Sequence, residues 1–144
     1  IVASGLTAQR LRMDVIAENI ANVNTTRTKG GDTYRRKIVT FEEKELDRGL
    51  TFEHVLHNKS QTYTTDGNGV KVTKVSEDYD SDFIMEYDPS HPDADENGYV
   101  AYPNVNTVTE MTNLIDASRS YEANTTAFRA LKDMATSGIS IGQR

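Results

Sequence analysis

Three carboxylates alternate at Asp78, Asp80 and Asp82. Alternate carboxylates on a loop can hold Ca²⁺, which takes several hard oxygen ligands. An EF-hand loop counted from Asp78 would need Gly at its sixth position and Glu at its twelfth. Those positions are Phe83 and Pro89, so the stretch reads as a solvated acidic edge. A second acidic group, Asp88, His91, Asp93, Asp95 and Glu96, has no ligand spacing either. His54 and His57 lie three apart, and no Glu follows them in the pattern of a zinc protease helix. Gly67-Asn68-Gly69 lacks the third glycine of a dinucleotide loop and reads as the tip of a hairpin. No Ser sits in a nucleophile elbow. The chain contains no cysteine, which removes disulfides, thiolate metal sites and a thiol nucleophile. No catalytic residue, cofactor site or metal site is expected, and a secreted calcium-dependent binding module that uses the acidic loops is kept as the alternative.

Two polar features stand apart from catalysis. Arg35, Arg36 and Lys37 form a basic cluster, either a contact patch for an anionic neighbour or a strand edge guarded against unwanted pairing. Asn19, Asn22 and Asn124 fall in or beside otherwise apolar helical patterns. An Asn in a helical seam costs stability but can fix register. Asn22 also suits a helix end.

These residues are held by a chain with two helical ends. Val2, Leu6, Met13, Ile16, Ile20 and Val23 recur at three- and four-residue spacing, as do Leu114, Ala117, Tyr121, Phe128, Leu131 and Ala135. Such spacing puts each set on one face of a helix. The first helix is expected over 2–23. The second is expected from Thr107, opened by a Thr107–Glu110 capping box, to about Ser137, with Gly138 as its stop. The helix pattern is already under way at Ile1, so residues upstream of it are expected.

Between the helices, Tyr34–Phe41, Phe52–Leu56, the valines after Gly69, and Phe83–Tyr87 read as strands of a small antiparallel sheet. Nine of the eleven aromatic residues fall between Tyr34 and Tyr102, which predicts a separate aromatic core there. The fold class is therefore α+β: two long terminal helices packed as a coiled-coil-like pair, with a small central antiparallel β-rich domain. Residues 1–33 plus 104–144 form the discontinuous helical domain, and 34–103 the central one.

The net charge is −6. It gathers in the middle, where residues 49–103 hold three Lys/Arg against eleven Asp/Glu. An acidic surface argues against nucleic acid, whose phosphates need a basic one. No apolar run approaches the ~20 residues of a membrane span, so no membrane insertion is expected. Hydrophobic residues make up 36% of the chain, a thin supply for a core, and part of the buried surface is expected to come from partners.

The string Ala17-Glu18-Asn19-Ile20-Ala21-Asn22, followed downstream by Tyr34-Arg35-Arg36, resembles the N-terminal signature of bacterial flagellar rod and hook proteins. Ile20 stands where Leu is commoner. The insert Thr25–Thr33 before Tyr34 is similar to that of the C-type proximal rod proteins. So is the far end, with Gly98-Tyr99-Val100, Pro103-Asn104-Val105, Glu110-Met111 and the run Ala117–Asn124. The likeness covers most of residues 3–37 and 97–143, while the middle matches only in character.

The resemblance implies a non-enzymatic subunit of the proximal rod in the periplasmic part of the basal body. Both terminal helices would lie in the inner tube of the rod, with the β-rich part outside. The partners implied are other rod proteins, the base-ring rod adaptor, further copies of the chain, and the flagellar export apparatus, which passes subunits without a cleaved signal peptide. The assembly interface is then expected on Leu6, Met13, Ile16, Asn19, Ile20, Asn22, Met111, Leu114, Tyr121, Asn124, Phe128 and Leu131, with Arg35, Arg36 and Lys37 as a partner-contact patch.

Overall fold

The computed structural model describes residues 1–44 and 69–142. The expected strand Phe52–Leu56, the histidine pair His54 and His57, and all but the last residue of Asp66-Gly67-Asn68-Gly69 lie outside the described residues. Two helices frame the fold, α1 over Val2–Ala21 and α2 over Thr107–Gly142. Between them come β1 (Lys37–Glu43), β2 (Val70–Glu77), β3 (Ile84–Tyr87) and β4 (Tyr99–Tyr102).

The helices run antiparallel against each other. Asn19, near the end of α1, bonds Glu110 at the start of α2. At the other end, a methyl group placed on Gly5 would stand 3.3 Å from the Asn124 side chain. Buried contact is made by small and polar residues: Ala8, Val15, Ile16 and Asn19 on α1, Glu110 and Ala117 on α2. Gly5, Ala8 and Ala117 are small enough to allow the two backbones to approach closely. The expected apolar seam on α2 is therefore only partly used within the chain. Leu114 is half-buried, whereas Phe128 and Leu131 are exposed.

Both expectations for the ends of α2 need correction. Asn106, one residue earlier than Thr107, is the cap, and its Oδ1 accepts from the N–H groups of Val108 and Thr109 at 3.0 and 3.1 Å. Glu110 does not reach back to close a capping box, because its carboxylate is drawn into the junction with α1. Gly138 lies inside the helix, not at its stop. A helical Gly costs only about 1 kcal/mol relative to Ala. Around it the Thr136 and Ser140 hydroxyls donate to Lys132 and Ser137 carbonyls of the same helix.

Among the described residues the strands form two separate two-stranded ladders. β1 pairs antiparallel with β2, with a bulge between Thr40 and Phe41. Both lie along α1, and the Val70 N–H of β2 donates to Ser4 Oγ at 3.1 Å. β3 pairs antiparallel with β4. Tyr99–Tyr102, not among the expected strands, supplies β4. Asp88–Gly98 joins the two, and Gly98 turns the chain at φ 80°, where a side chain would also meet Tyr87 at 3.0 Å.

The separate aromatic core is not present among the described residues. Tyr34 is the only buried aromatic there. Tyr79, Tyr87 and Tyr99 are exposed, the last two meeting edge to face at 5.3 Å between ring centres. Tyr34 faces α1, so the middle shares its buried ring with the helices and does not seal a core of its own.

Candidate assembly surface

A buried polar junction fixes the helix pair to β1. Asn19 is 1% exposed and uses all four of its hydrogen-bonding positions. Its Oδ1 accepts from the Lys37 N–H and the Tyr34 hydroxyl, both at 2.9 Å. Its Nδ2 donates to the Lys37 carbonyl at 2.9 Å and to Glu110 Oε2 at 3.1 Å. The side-chain amide thus pairs with Lys37 as a neighbouring strand would. A helix side chain stands in for a β-ladder partner, and that sets the register of β1 against α1.

Glu110, also 1% exposed, completes the junction. Its Oε1 accepts from Arg36 Nε at 3.0 Å and Nη2 at 2.7 Å. The Arg36 N–H donates to Asn104 Oδ1, and Asn104 Nδ2 donates to the carbonyls of Asp78 and Ser81. Arg36 also stands 3.7 Å from Asp78 Oδ2. A buried carboxylate is tolerated only when paired and hydrogen-bonded, and Glu110 meets both conditions with residues 74 and 91 positions away in sequence.

Two side chains here titrate away from their usual ranges. Burial pushes the Tyr34 hydroxyl up to about 12, and the carboxylates of Glu18, Glu110 and Glu77 add to the shift. For Asp78, burial acts to raise the carboxyl. Hydrogen bonds from the Ser81 hydroxyl and from the N–H groups of Ser81 and Asp80, with the nearby Arg36 guanidinium, outweigh it and hold the group below the usual carboxylate range. Asp78 is therefore spent on its own turn. No group of three or more metal-ligating side chains comes together among the described residues.

The basic cluster divides three ways. Arg35 is sandwiched between the Tyr79 and Phe83 rings at 4.7 and 4.2 Å. Arg36 is committed to Glu110, and Lys37 forms an ion pair with Glu18. All three are half-buried and bound within the chain, which places them in the junction and not on an open basic patch.

The apolar residues divide as sharply. Ile16 and Asn19 are buried between the elements, and Leu6, Met13, Ile20, Leu114 and Asn124 are half-buried along the helix contact. Asn22 ends α1, donating to the Glu18 carbonyl at 2.8 Å and accepting from Thr25. Met111, Tyr121, Phe128 and Leu131 are exposed. Met134, Ile139 and Ile141, absent from the expected interface, are more exposed still, at 62–76%. Met134 lies three residues after Leu131, a spacing that could have found it.

The 20 residues of α1 span about 30 Å, and the 36 residues of α2 about 54 Å. Glu110, Ala117, Asn124 and Leu131 follow at seven-residue steps along one face. The first three lie along α1. Among the described residues, every one from Thr126 to Gly142 is exposed.

Comparison with known proteins matches these same ends. The family model described as flagella basal body rod protein covers residues 1–29, and the one described as flagellar basal body rod FlgEFG protein C-terminal covers residues 96–141. The chain is 48% identical to the flagellar basal-body rod protein FlgC of Bacillus subtilis, over 98% of this chain and 93% of the relative. It is 43% identical to that of Borreliella burgdorferi and 36% identical to that of Escherichia coli O157:H7, each over 99% of this chain and 94% of the relative. With helical ends that match the rod models and relatives aligned along nearly its whole length, the chain belongs to the FlgC family of flagellar basal-body rod proteins.

Proposed function

We propose that this structural, non-enzymatic subunit lies in the proximal rod and joins its neighbours through the exposed apolar residues of the second half of α2. The single observation that carries the reading is the exposed apolar stretch Phe128–Leu131–Met134 on α2. Burying one such side chain against a neighbour contributes about 1.5–3 kcal/mol, and repeated head-to-tail contacts of this kind build an open helical assembly. Residues 1–33 and 104–144 then form the inner, tube-building part of a torque-transmitting shaft, and 34–103 the outer part. The neighbours are other rod proteins, the base-ring adaptor and further copies. The subunit reaches the periplasm through the flagellar export apparatus without a cleaved signal peptide.

Phe128→Asp and Leu131→Asp test this in the native cell. Both variants are expected to vanish from purified hook–basal bodies and to abolish swimming, while the free subunit keeps its helix content by circular dichroism. Wild-type incorporation and motility in both would overturn the reading.

A further inference from the structure

Three consecutive residues of α2 turn their side chains back onto their own helix. Asn124 Nδ2 donates to the Ser120 carbonyl and Thr125 Oγ1 to the Tyr121 carbonyl, both at 2.9 Å, and Thr126 Oγ1 donates to the Glu122 carbonyl at 3.0 Å. In an α-helix these carbonyls also accept the backbone N–H four residues on. Three successive acceptors are therefore shared between a backbone and a side-chain donor. Such back-bonding weakens the ladder locally and often bends a helix. Asn and Thr are also poor helix formers, Thr because its branched side chain crowds the preceding turn. Elsewhere in α2, among the described residues, side-chain bonds to the carbonyl four residues back come singly, at Thr112 and Thr136.

The run separates two stretches of unequal restraint. On its N-terminal side Glu110 is bound into the junction and Ala117 is fully buried. Asn124 itself packs on the α1 backbone at Gly5, where an added methyl group would stand 3.3 Å from Asn124 Oδ1. On its C-terminal side, among the described residues, no side chain from Thr126 to Gly142 is buried or half-buried. A weakened stretch between a clamped segment and a segment with few internal contacts is the arrangement of a hinge.

We infer that α2 bends at residues 124–126 and that this hinge swings residues 127–142 to seat Phe128, Leu131 and Met134 on a neighbouring subunit. The clamped half keeps α1, α2 and β1 in register while the tail takes the direction the neighbour requires. A stiff, straight tail would fix one direction before any neighbour arrives. The inference rests on the rod reading above and adds to it how the contact is reached.

The absence of cysteine allows specific labelling. Arg10→Cys and Gly138→Cys, both at exposed positions, carry spin labels about 30 Å apart along the helix axes. Their distance distribution is measured by double electron–electron resonance in the free subunit, where a broad distribution is expected. Thr125→Ala with Thr126→Ala removes two of the side-chain bonds and installs the best helix former, so the helix is kept and the distribution narrows. Thr125→Ser with Thr126→Ser retains the hydroxyls and the breadth. In the native cell, without the added cysteines, the alanine pair is expected to enter basal bodies less than wild type and to swim more slowly, while the serine pair matches wild type. A narrow wild-type distribution, or equal breadth in wild type and the alanine pair, overturns the hinge and leaves the rod reading standing, since that reading needs only the exposed apolar residues. Wild-type incorporation and swimming of the alanine pair overturn the hinge's part in assembly. Absence of the wild-type chain from basal bodies overturns the rod reading, and with it the use of the hinge there, whatever the distances in the free subunit.

Discussion

The two halves of α2 obey different rules although they belong to one helix. Where α1 covers it, the seven-residue face carries Glu110, Ala117 and Asn124, small or polar groups suited to close approach and internal bonding. Farther along, the same face carries Leu131, flanked by Phe128 and Met134, all about half exposed or more among the described residues. Among the described residues the helix contact is made mainly by small and polar groups with Val15 and Ile16, while Phe128, Leu131 and Met134 stay exposed.

The sharpest way to break this comparison is at Glu110. Glu110→Ala leaves Arg36 and Asn19 without their shared acceptor, and removal of one partner of a buried ion pair typically costs about 3–5 kcal/mol. A matching fall in urea-unfolding free energy is expected. A change below about 1 kcal/mol would mean that the covered half is held by something other than the junction.

A smaller effect comes from bulk. Ala117 is fully buried where the helices meet, and Ala117→Leu forces them apart at a cost of about 1–3 kcal/mol for overpacking. The same exchange at Ala130, on the bare half, should stay within about 0.5 kcal/mol. Equal effects at both sites would erase the distinction between the halves.

The smallest effect is a titration. The folded Tyr34 hydroxyl holds its proton up to about 12, while an unfolded tyrosine loses it near 10. The stabilisation is therefore fully present below pH ~10 and is lost as pH rises from ~10 to ~12. Tyr34→Phe should flatten the fall in melting temperature across that window. Near neutral pH it should cost only about 1 kcal/mol, for one lost hydrogen bond. An unchanged alkaline profile would remove Tyr34 from the junction.

Much of the frame was legible from local pattern. The spacing of apolar residues marked both helices, and Asn22 marked the end of the first. The α+β class followed from β-branched runs between them, and Val70–Glu77 and Ile84–Tyr87 appeared about where the valines and Phe83–Tyr87 suggested. Misreadings arose where a side chain had both a local and a distant partner. Glu110 has capping-box spacing from Thr107, yet it serves Arg36 and Asn19. Tyr34 counted towards an aromatic cluster, yet it caps an asparagine on α1.

The sequence by itself determined that two amphipathic helices bracket an acidic, strand-forming middle, because periodicity and turn chemistry are properties of neighbouring residues. It also determined the family, through motifs that fall within those helices. Only the tertiary structure decided that Asn19 would stand in as a strand partner, that the described strands would pair as two ladders, and that Glu110 would be buried against Arg36. Those outcomes depend on which residues meet across 70 to 90 positions of chain, as at Arg36–Glu110 and Asn19–Glu110. A buried amide or carboxylate takes whatever partner the packing brings within hydrogen-bond reach, and spacing along the chain does not encode that.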